Sequence, residues 1–312
     1  MKTAVVAGAA GFIGSHLCDF LLAKSYKVIG LDNFVTGREK NIAHLKNNSG
    51  FSFHRCDITE TLPELGKVDE IYNLASPASP VDFEKIPVTI LQTACVGHGN
   101  LLRLAKKNGA RILYASTSEV YGDPLQHPQK ESYWGNVNPI GPRGCYDEAK
   151  RFGEALTVAY HRQEKVNTCI VRIFNTYGTR MRPEDGRVIP NFFTQALSKQ
   201  SLTIYGTGKQ TRSLCYVSDL VEAIYLAMQG TQHDPVNIGN PKELTILEMA
   251  DVINKIAGNT AKHVFKDLPP DDPQQRRPDI TRAQTLLKWS PKVELNDGLT
   301  KTLEYFKSEN LV

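Results

Sequence analysis

Gly8-Ala9-Ala10-Gly11-Phe12-Ile13-Gly14 follows a short apolar run at residues 4–7 and opens residues 12–23, whose apolar positions recur with a helical period. Three glycines spaced G-x-x-G-x-x-G between a buried strand and a helix permit a tight turn. They also let the backbone approach a pyrophosphate, which the helix N-terminus meets with N–H donors and partial positive charge. The spacing alone is a weak signal, because a bare strand-to-helix turn can carry glycines. Its surroundings strengthen it. Residues 27–31 read as a second strand ending at Asp32, where a carboxylate accepts hydrogen bonds from ribose hydroxyls and repels a 2′-phosphate. NAD is therefore expected over NADP, with Arg38 the nearby residue that argues the other way. Asp57, after a third strand at residues 51–55, is placed either to meet the adenine or to form a turn before Ile58 and Thr59.

Outward from this turn, strands at residues 70–75, 111–116 and 168–174 alternate with helical stretches at 88–107 and 146–163. That alternation predicts an α/β fold, a Rossmann-type doubly wound parallel sheet covered on both faces. After Asn175 the texture changes to Pro, Gly, Arg and short strands (202–205, 213–217), with helices at 219–228, 247–256 and 296–307. Thr245 and Glu248 have the capping-box spacing. Residues 267–279, proline-rich and charged, read as a structured loop or a lid. The expected division is a dinucleotide-binding domain over 1–174, with return segments from the C-terminal half, and a smaller α/β substrate-binding region over 175–312.

A chain of 312 residues that is 41% hydrophobic and 22% charged can bury a substantial core. Its net charge of +4, without long runs of one sign, gives no reason to expect nucleic acid. The six cysteines form no C-x-x-C pair and read as reduced thiols, so no metal site is expected. The first residues read as a buried strand rather than a signal peptide, and no window approaches the ~20 apolar residues of a membrane span. A soluble, cytoplasmic protein is expected.

Tyr146 and Lys150, four apart at the start of a helix, share one face. A lysine near a phenol favours the phenolate, so Tyr146 is expected to titrate low enough to take a hydroxyl proton. The strand at 111–116 runs into Thr117, Ser118 and Glu119 at its carboxyl end, facing the expected cofactor crevice. Thr117 can share a sugar oxygen with Tyr146, and Glu119 is a carboxylate where most such strands carry none.

Together these features resemble the extended short-chain dehydrogenase/reductase family along essentially the whole chain. Four blocks resemble its UDP-glucuronate decarboxylase (UDP-xylose synthase) branch: NLASPASP at 73–80, STSEVYGDP at 116–124, NPIGPRGCYDE at 138–148 and DDPQQRRPD at 271–279. The resemblance implies that Tyr146 deprotonates the sugar 4-hydroxyl as hydride passes to NAD. The 4-keto sugar then loses carbon dioxide, and hydride returns to give UDP-xylose. It implies that Arg276 orients the substrate carboxylate, that Glu119 manages a proton directly or through water, and that Lys150 tunes Tyr146 and holds the nicotinamide ribose. On the cofactor side it implies Gly8, Gly11, Phe12, Ile13, Gly14, Asp32, Asn33, Phe34, Thr36, Gly37, Arg38, Asp57, Ile58, Leu74, Ser76, Thr93 and Thr176, besides Tyr146 and Lys150. On the nucleotide-sugar side it implies Ser118, Glu119, Asn175, Arg187, Tyr205, Arg212 and Arg276, the arginines meeting diphosphate with forked hydrogen bonds. The helices at 88–107 and 146–163 resemble a four-helix homodimer interface.

The chain departs from the family pattern at Gly144 and Ala149, at Thr179 where Pro is usual, and at Arg182 where His is common in animal members. Three enzyme rivals remain. A nucleotide-sugar 4,6-dehydratase of the dTDP-glucose type usually has Asp where Ser118 stands. A 4-epimerase usually has no Glu at position 119. An oxidative decarboxylase would release UDP-4-keto-pentose with NADH. A dinucleotide-sensing regulator of this fold would tend to lose the tyrosine or the lysine, and both are present here.

Overall fold

A computed structural model of the chain describes residues 1–268 and 275–309. Its centre is a seven-stranded parallel sheet built from β1 (Thr3–Ala7), β2 (Lys27–Asp32), β3 (Phe51–Arg55), β4 (Glu70–Asn73), β5 (Arg111–Thr117), β6 (Thr168–Ile173) and β7 (Val236–Ile238). The order is β7-β6-β5-β4-β1-β2-β3. β1 is flanked by β2 and β4, so the chain reverses direction across the sheet there. A crevice opens outside the carboxyl ends of the strands at such a point.

Successive residues of β1 serve opposite faces, as strand geometry requires. Ala4 and Val6 join an apolar cluster with Leu17 and Leu21 of helix α1 (Phe12–Ala23). Val5 and Ala7 join a second cluster with Leu101 and Leu102 of α2 (His98–Asn108). Strands buried on both faces read as unbroken apolar runs, which is why β1 and β5 are plain in the sequence.

The expected helix over 88–107 is three pieces: Pro87–Gln92, a π-helical turn Thr93–Gly97, and α2. Gly97 packs against Ile58 so closely that a Cβ would come within 2.7 Å of its side chain. The helix starting before Tyr146 is α3 (Gly144–Glu164). The run at 213–217 is not one strand. Thr211–Ser213 pairs with Glu243–Thr245, Cys215–Tyr216 pairs with Thr176–Tyr177, and Val217 begins α5 (Val217–Gln229), which follows α4 (Val188–Leu197). Helix α6 (Ile246–Ala257) carries the Thr245–Glu248 capping box, and α7 (Leu295–Ser308) follows. Of the block at 271–279, Asp271 to Gln274 lie outside the described residues. Gln275–Arg276 forms a short strand beside Thr211–Ser213, with Arg276 opposite Arg212. Among the described residues no helix is long and apolar enough to cross a membrane.

Candidate active site

A cleft of about 670 Å³ lies at the carboxyl ends of the central strands. At one end stands the glycine turn. Gly8 takes a φ of +82°, and its N–H donates to the Leu31 carbonyl at 2.8 Å. A Cβ on Gly8 would press on the Leu74 backbone, and one on Gly14 would overlap the Gly8 carbonyl oxygen. Gly11 is the N-cap of α1 and no side chain caps that helix, so the first-turn residues Phe12, Ile13 and Gly14 line the cleft with their amides available to an anion.

The Asp32 carboxylate accepts from Ala10 N at 2.9 Å and Phe34 N at 2.8 Å. Burial raises its pKa, against the pull of these backbone donors. Phe34 and Gly37 do not line the cleft; they shape Asp32. Phe34 bends at a φ of +62° and packs its ring on Phe53, and a Cβ on Gly37 would strike the Asp32 oxygens. A side pocket of about 70 Å³ is lined by Asp32, Asn33, Asp57, Ile58 and Thr93, and shares Thr36, Leu74 and Ser76 with the main cleft. Asp57 both forms a turn, accepting from Thr59 N at 2.8 Å, and meets Asn33 Nδ2 at 2.9 Å in that pocket. Arg38 donates to Glu309 at 2.9 Å, Tyr305 at 2.7 Å and the Met181 carbonyl at 3.2 Å. Its charge is committed to the last helix, which removes the objection that it would receive a 2′-phosphate. The glycine cradle, the uncapped helix and the unphosphorylated-ribose side at Asp32 fit a dinucleotide of the NAD kind.

At the other end, Tyr146 is buried in the first turn of α3, stacked on Phe83 with centroids 5.0 Å apart and hydrogen-bonded to Thr117. Its phenol is raised well above its ordinary value, first by burial and then by Glu119. This corrects the expectation of a lowered phenol. Lys150 directs its Nζ to the Ala115 carbonyl at 2.8 Å, 5.7 Å from the Tyr146 ring centre. Burial pulls Lys150 down to about 7, against an opposing effect of Glu154. Behind it, Thr157 donates to the Gly153 carbonyl and so accepts from His98 Nε2 at 2.7 Å; His98 Nδ1 then accepts from Asn73 at 3.0 Å. His98 is thereby a neutral ring with one assigned tautomer, its pKa pushed to about 3 by burial and by Lys150.

Glu119 sits two residues past Thr117 in a single 3₁₀ turn, Ser118–Tyr121. Arg276 forks onto both its oxygens, with Nη2 at 2.8 Å from Oε2, and Arg143 Nη2 donates to Oε2 at 2.6 Å. Burial would raise this carboxyl, but Arg276 and Arg143 hold it at about 2. At neutral pH Glu119 is therefore a carboxylate with no proton to give, and Arg276 is engaged by it. Asp147 is pushed up to about 7 by burial and by Glu119, with Arg143 Nε 4.0 Å from its Oδ2.

The expected nucleotide-sugar residues Ser118, Asn175, Arg187, Tyr205 and Arg212, and the expected cofactor residue Thr176, all line the main cleft. Arg187 is forked on Asp185 at 2.5 and 2.8 Å. Arg182 pairs with Asp82, and Ser79 donates to the Asp185 carbonyl, so residues 79–83 and 182–187 are tied along one wall. Arg143, Asp185 and Phe83 were not anticipated. Arg143 lies one helical turn before Tyr146 and Asp185 two residues before Arg187, spacings that could have drawn them in. Phe83 gave no such signal. Among the described residues no cluster of His, Cys, Asp or Glu is placed to hold a metal.

Residues 4–239 match the model of the NAD dependent epimerase/dehydratase family. The chain is 54% identical to UDP-glucuronic acid decarboxylase 4 of Arabidopsis thaliana over 97% of its own length and 68% of that protein. It is 50% identical to UDP-glucuronic acid decarboxylase 1 of Danio rerio, over 99% and 73%. Its fold matches the crystal structure of a UDP-glucuronic acid 4-epimerase from Bacillus cereus, in complex with UDP-glucuronic acid and NAD, with a TM-score of 0.89, 33% identity, and 99% and 100% of the two chains covered.

Proposed function

Because the chain belongs to the NAD dependent epimerase/dehydratase family, we propose its place there from the contents of its cleft: it uses NAD to decarboxylate UDP-glucuronate. The observation that carries this reading is the Glu119 carboxylate, gripped by Arg276 and Arg143 beside Tyr146. Epimerisation at C4 needs a base and its lysine. Guanidinium groups beside that base suit a sugar whose own carboxylate lies next to the carbon being oxidised.

NAD, held by the glycine turn, Asp32 and Lys150, would supply a reversible hydride acceptor and a positive ring charge that favours the Tyr146 phenolate. Tyr146 takes the C4 hydroxyl proton while Thr117 holds the same oxygen. Lys150, in its protonated form, sets a positive charge 5.7 Å from the phenol ring centre and binds the nicotinamide ribose. With C4 a ketone, the substrate carboxylate is beta to it. Arg276 turns a donor to that carboxylate and orients it as the C5–C6 bond breaks, its electron pair passing into the C4–C5 enolate and carbon dioxide leaving. Glu119, ionised, aligns a water that protonates C5, and the hydroxide left behind takes a proton from solvent. The hydride removed from C4 would return to that carbon from the reduced cofactor as Tyr146 gives its proton back to the C4 oxygen, and the product is UDP-xylose. Ser118, Asn175, Tyr205, Arg187 and Arg212 bind the nucleotide sugar. Residues 1–174 serve mainly the cofactor and 175–312 mainly the substrate. A homodimer in the cytoplasm is the accompanying reading. Exposed Val88, Leu91, Val96 and Phe152 on the helices flanking the site support the dimer, and six free thiols support a reducing compartment.

The test is a product assay: purified protein with UDP-glucuronate, without and with added NAD, followed by proton NMR and at 340 nm. UDP-xylose without lasting NADH is expected. A 4-keto pentose with stoichiometric NADH would move the assignment to oxidative decarboxylation. Turnover of dTDP-glucose instead would overturn it.

A further inference from the structure

Glu119 is held by two arginines of unequal standing. Arg276 covers both carboxylate oxygens, and Arg143 covers one. If Arg276 is to orient a substrate carboxylate, its fork must leave Glu119 at least in part. A buried carboxylate that loses its only counter-charge is driven to pick up a proton or to move. Arg143 answers this difficulty. It occupies the N-cap position of α3, one turn before Tyr146. Its guanidinium lies over the Phe83 ring, 5.6 Å from the centroid, and the same ring is stacked with Tyr146. Three things therefore meet at Arg143: the carboxylate of Glu119, the ring that backs the tyrosine, and the carboxylate of Asp147. Arg143 sits in the cleft lining, and its position on a 21-residue helix does not depend on the segment that carries Arg276.

We propose that Arg143 is a positioning residue that keeps Glu119 charged and aimed while Arg276 transfers its fork to the substrate carboxylate. This rests on the decarboxylase reading for the identity of that carboxylate, but the Arg143–Glu119 pair is a property of the protein alone. The groups that face Glu119 are Arg276 from the strand Gln275–Arg276, Arg143, Tyr146 and Asp147 from α3, and Arg187 from the loop before α4. Of these, Arg143 and Arg276 are the two that hydrogen-bond it. Opposite charges at such range lower a carboxyl by about 1–3 units, so loss of one raises it by a comparable amount.

The experiment has two independent arms. In the first, NAD-loaded wild type, Arg143→Met and Arg143→Lys are titrated by carbon-13 NMR with labelled glutamate side chains, Glu119 being assigned by its loss in Glu119→Gln. Arg143→Met is expected to raise the Glu119 midpoint by about one unit or more, and Arg143→Lys to restore most of the difference. An unchanged midpoint in Arg143→Met overturns the inference whatever the substrate proves to be. In the second, the same proteins turn over UDP-glucuronate across pH. Arg143→Met is expected to lower kcat on the order of 100-fold with little change in KM, and to move the acid limb upward, with the limb returning in Arg143→Lys. A loss confined to KM, or an unmoved limb, overturns it. Silence of the wild type toward UDP-glucuronate would remove the decarboxylase reading and leave the first arm to decide on Arg143.

Discussion

Lys150 is a cation in a place that disfavours cations: it is buried, its ammonium touches a carbonyl, and its pKa falls to about 7. Unfolded, the same side chain titrates at about 10.4. Between those values the unfolded chain holds the extra proton, so stability rises with pH across that window. The penalty is full below about 7 and gone above the unfolded value. Lys150→Met removes the titration. In urea unfolding of cofactor-free protein, wild type is therefore expected to gain stability relative to Lys150→Met between pH 7 and 9. Parallel curves would show that Lys150 is not buried in this way. The same variant is expected to lose on the order of 100-fold or more in kcat, read in the product assay, because it removes the ammonium beside a phenol whose two largest influences, burial and Glu119, oppose its ionisation. Glu119 shows the opposite balance nearby: burial is overcome by two guanidiniums. Neither result was legible from residue types. Tyr146 and Lys150 could be paired by helical spacing, but the direction of each shift is set first by burial, and for Tyr146 next by Glu119, which only the fold provides.

At the scale of the element, the glycine turn and α1 are the most legible part of the chain, because a strand buried on both faces and a helix with one apolar face leave separate periods in the sequence. The turn also makes a sharp demand. Gly14→Ala would set a methyl into the Gly8 carbonyl, so the helix must shift away from the strand. A destabilisation of about 1–3 kcal/mol is expected by thermal unfolding. NAD titrated against the variant should bind more weakly, and unchanged affinity would mean that the amides of the first turn are not what holds the cofactor. Less legible was the helix over 88–107. One π turn alters the helical period over only five residues, too few for an apolar pattern to register. The run at 213–217 misled for another reason. Its Tyr216 and Val217 favour strands, and the division at Leu214 is decided by partners, Glu243 on one side and Thr176 on the other, each far away in sequence. β7 is three residues long and closes the sheet only because β6 is there to receive it.

For the whole molecule, the doubly wound plan follows from the alternation of strands and helices, whereas the second half is built from short strands whose pairing the sequence does not announce. The apolar side chains left outside include four on the helices flanking the site: Val88, 63% exposed, with Leu91, Val96 and Phe152. A second copy covering them is expected to be broken by Val88→Lys with Leu91→Glu. Sedimentation should then report a species near 34.7 kDa where wild type reports twice that mass. A wild-type monomer would sink the dimer. The two parts of the chain also meet inside the cleft, where Glu119 finds Arg276 at a sequence separation of 157. On a ribosome this becomes a matter of timing. The strands from β1 to β6 and the glycine turn are made long before residue 276, and of the two guanidiniums that hydrogen-bond Glu119 among the described residues, Arg143 comes first. The turn that meets nucleotide is thus laid down early, while the means to steer a second carboxylate arrives in one late step, after most of the polypeptide has been made.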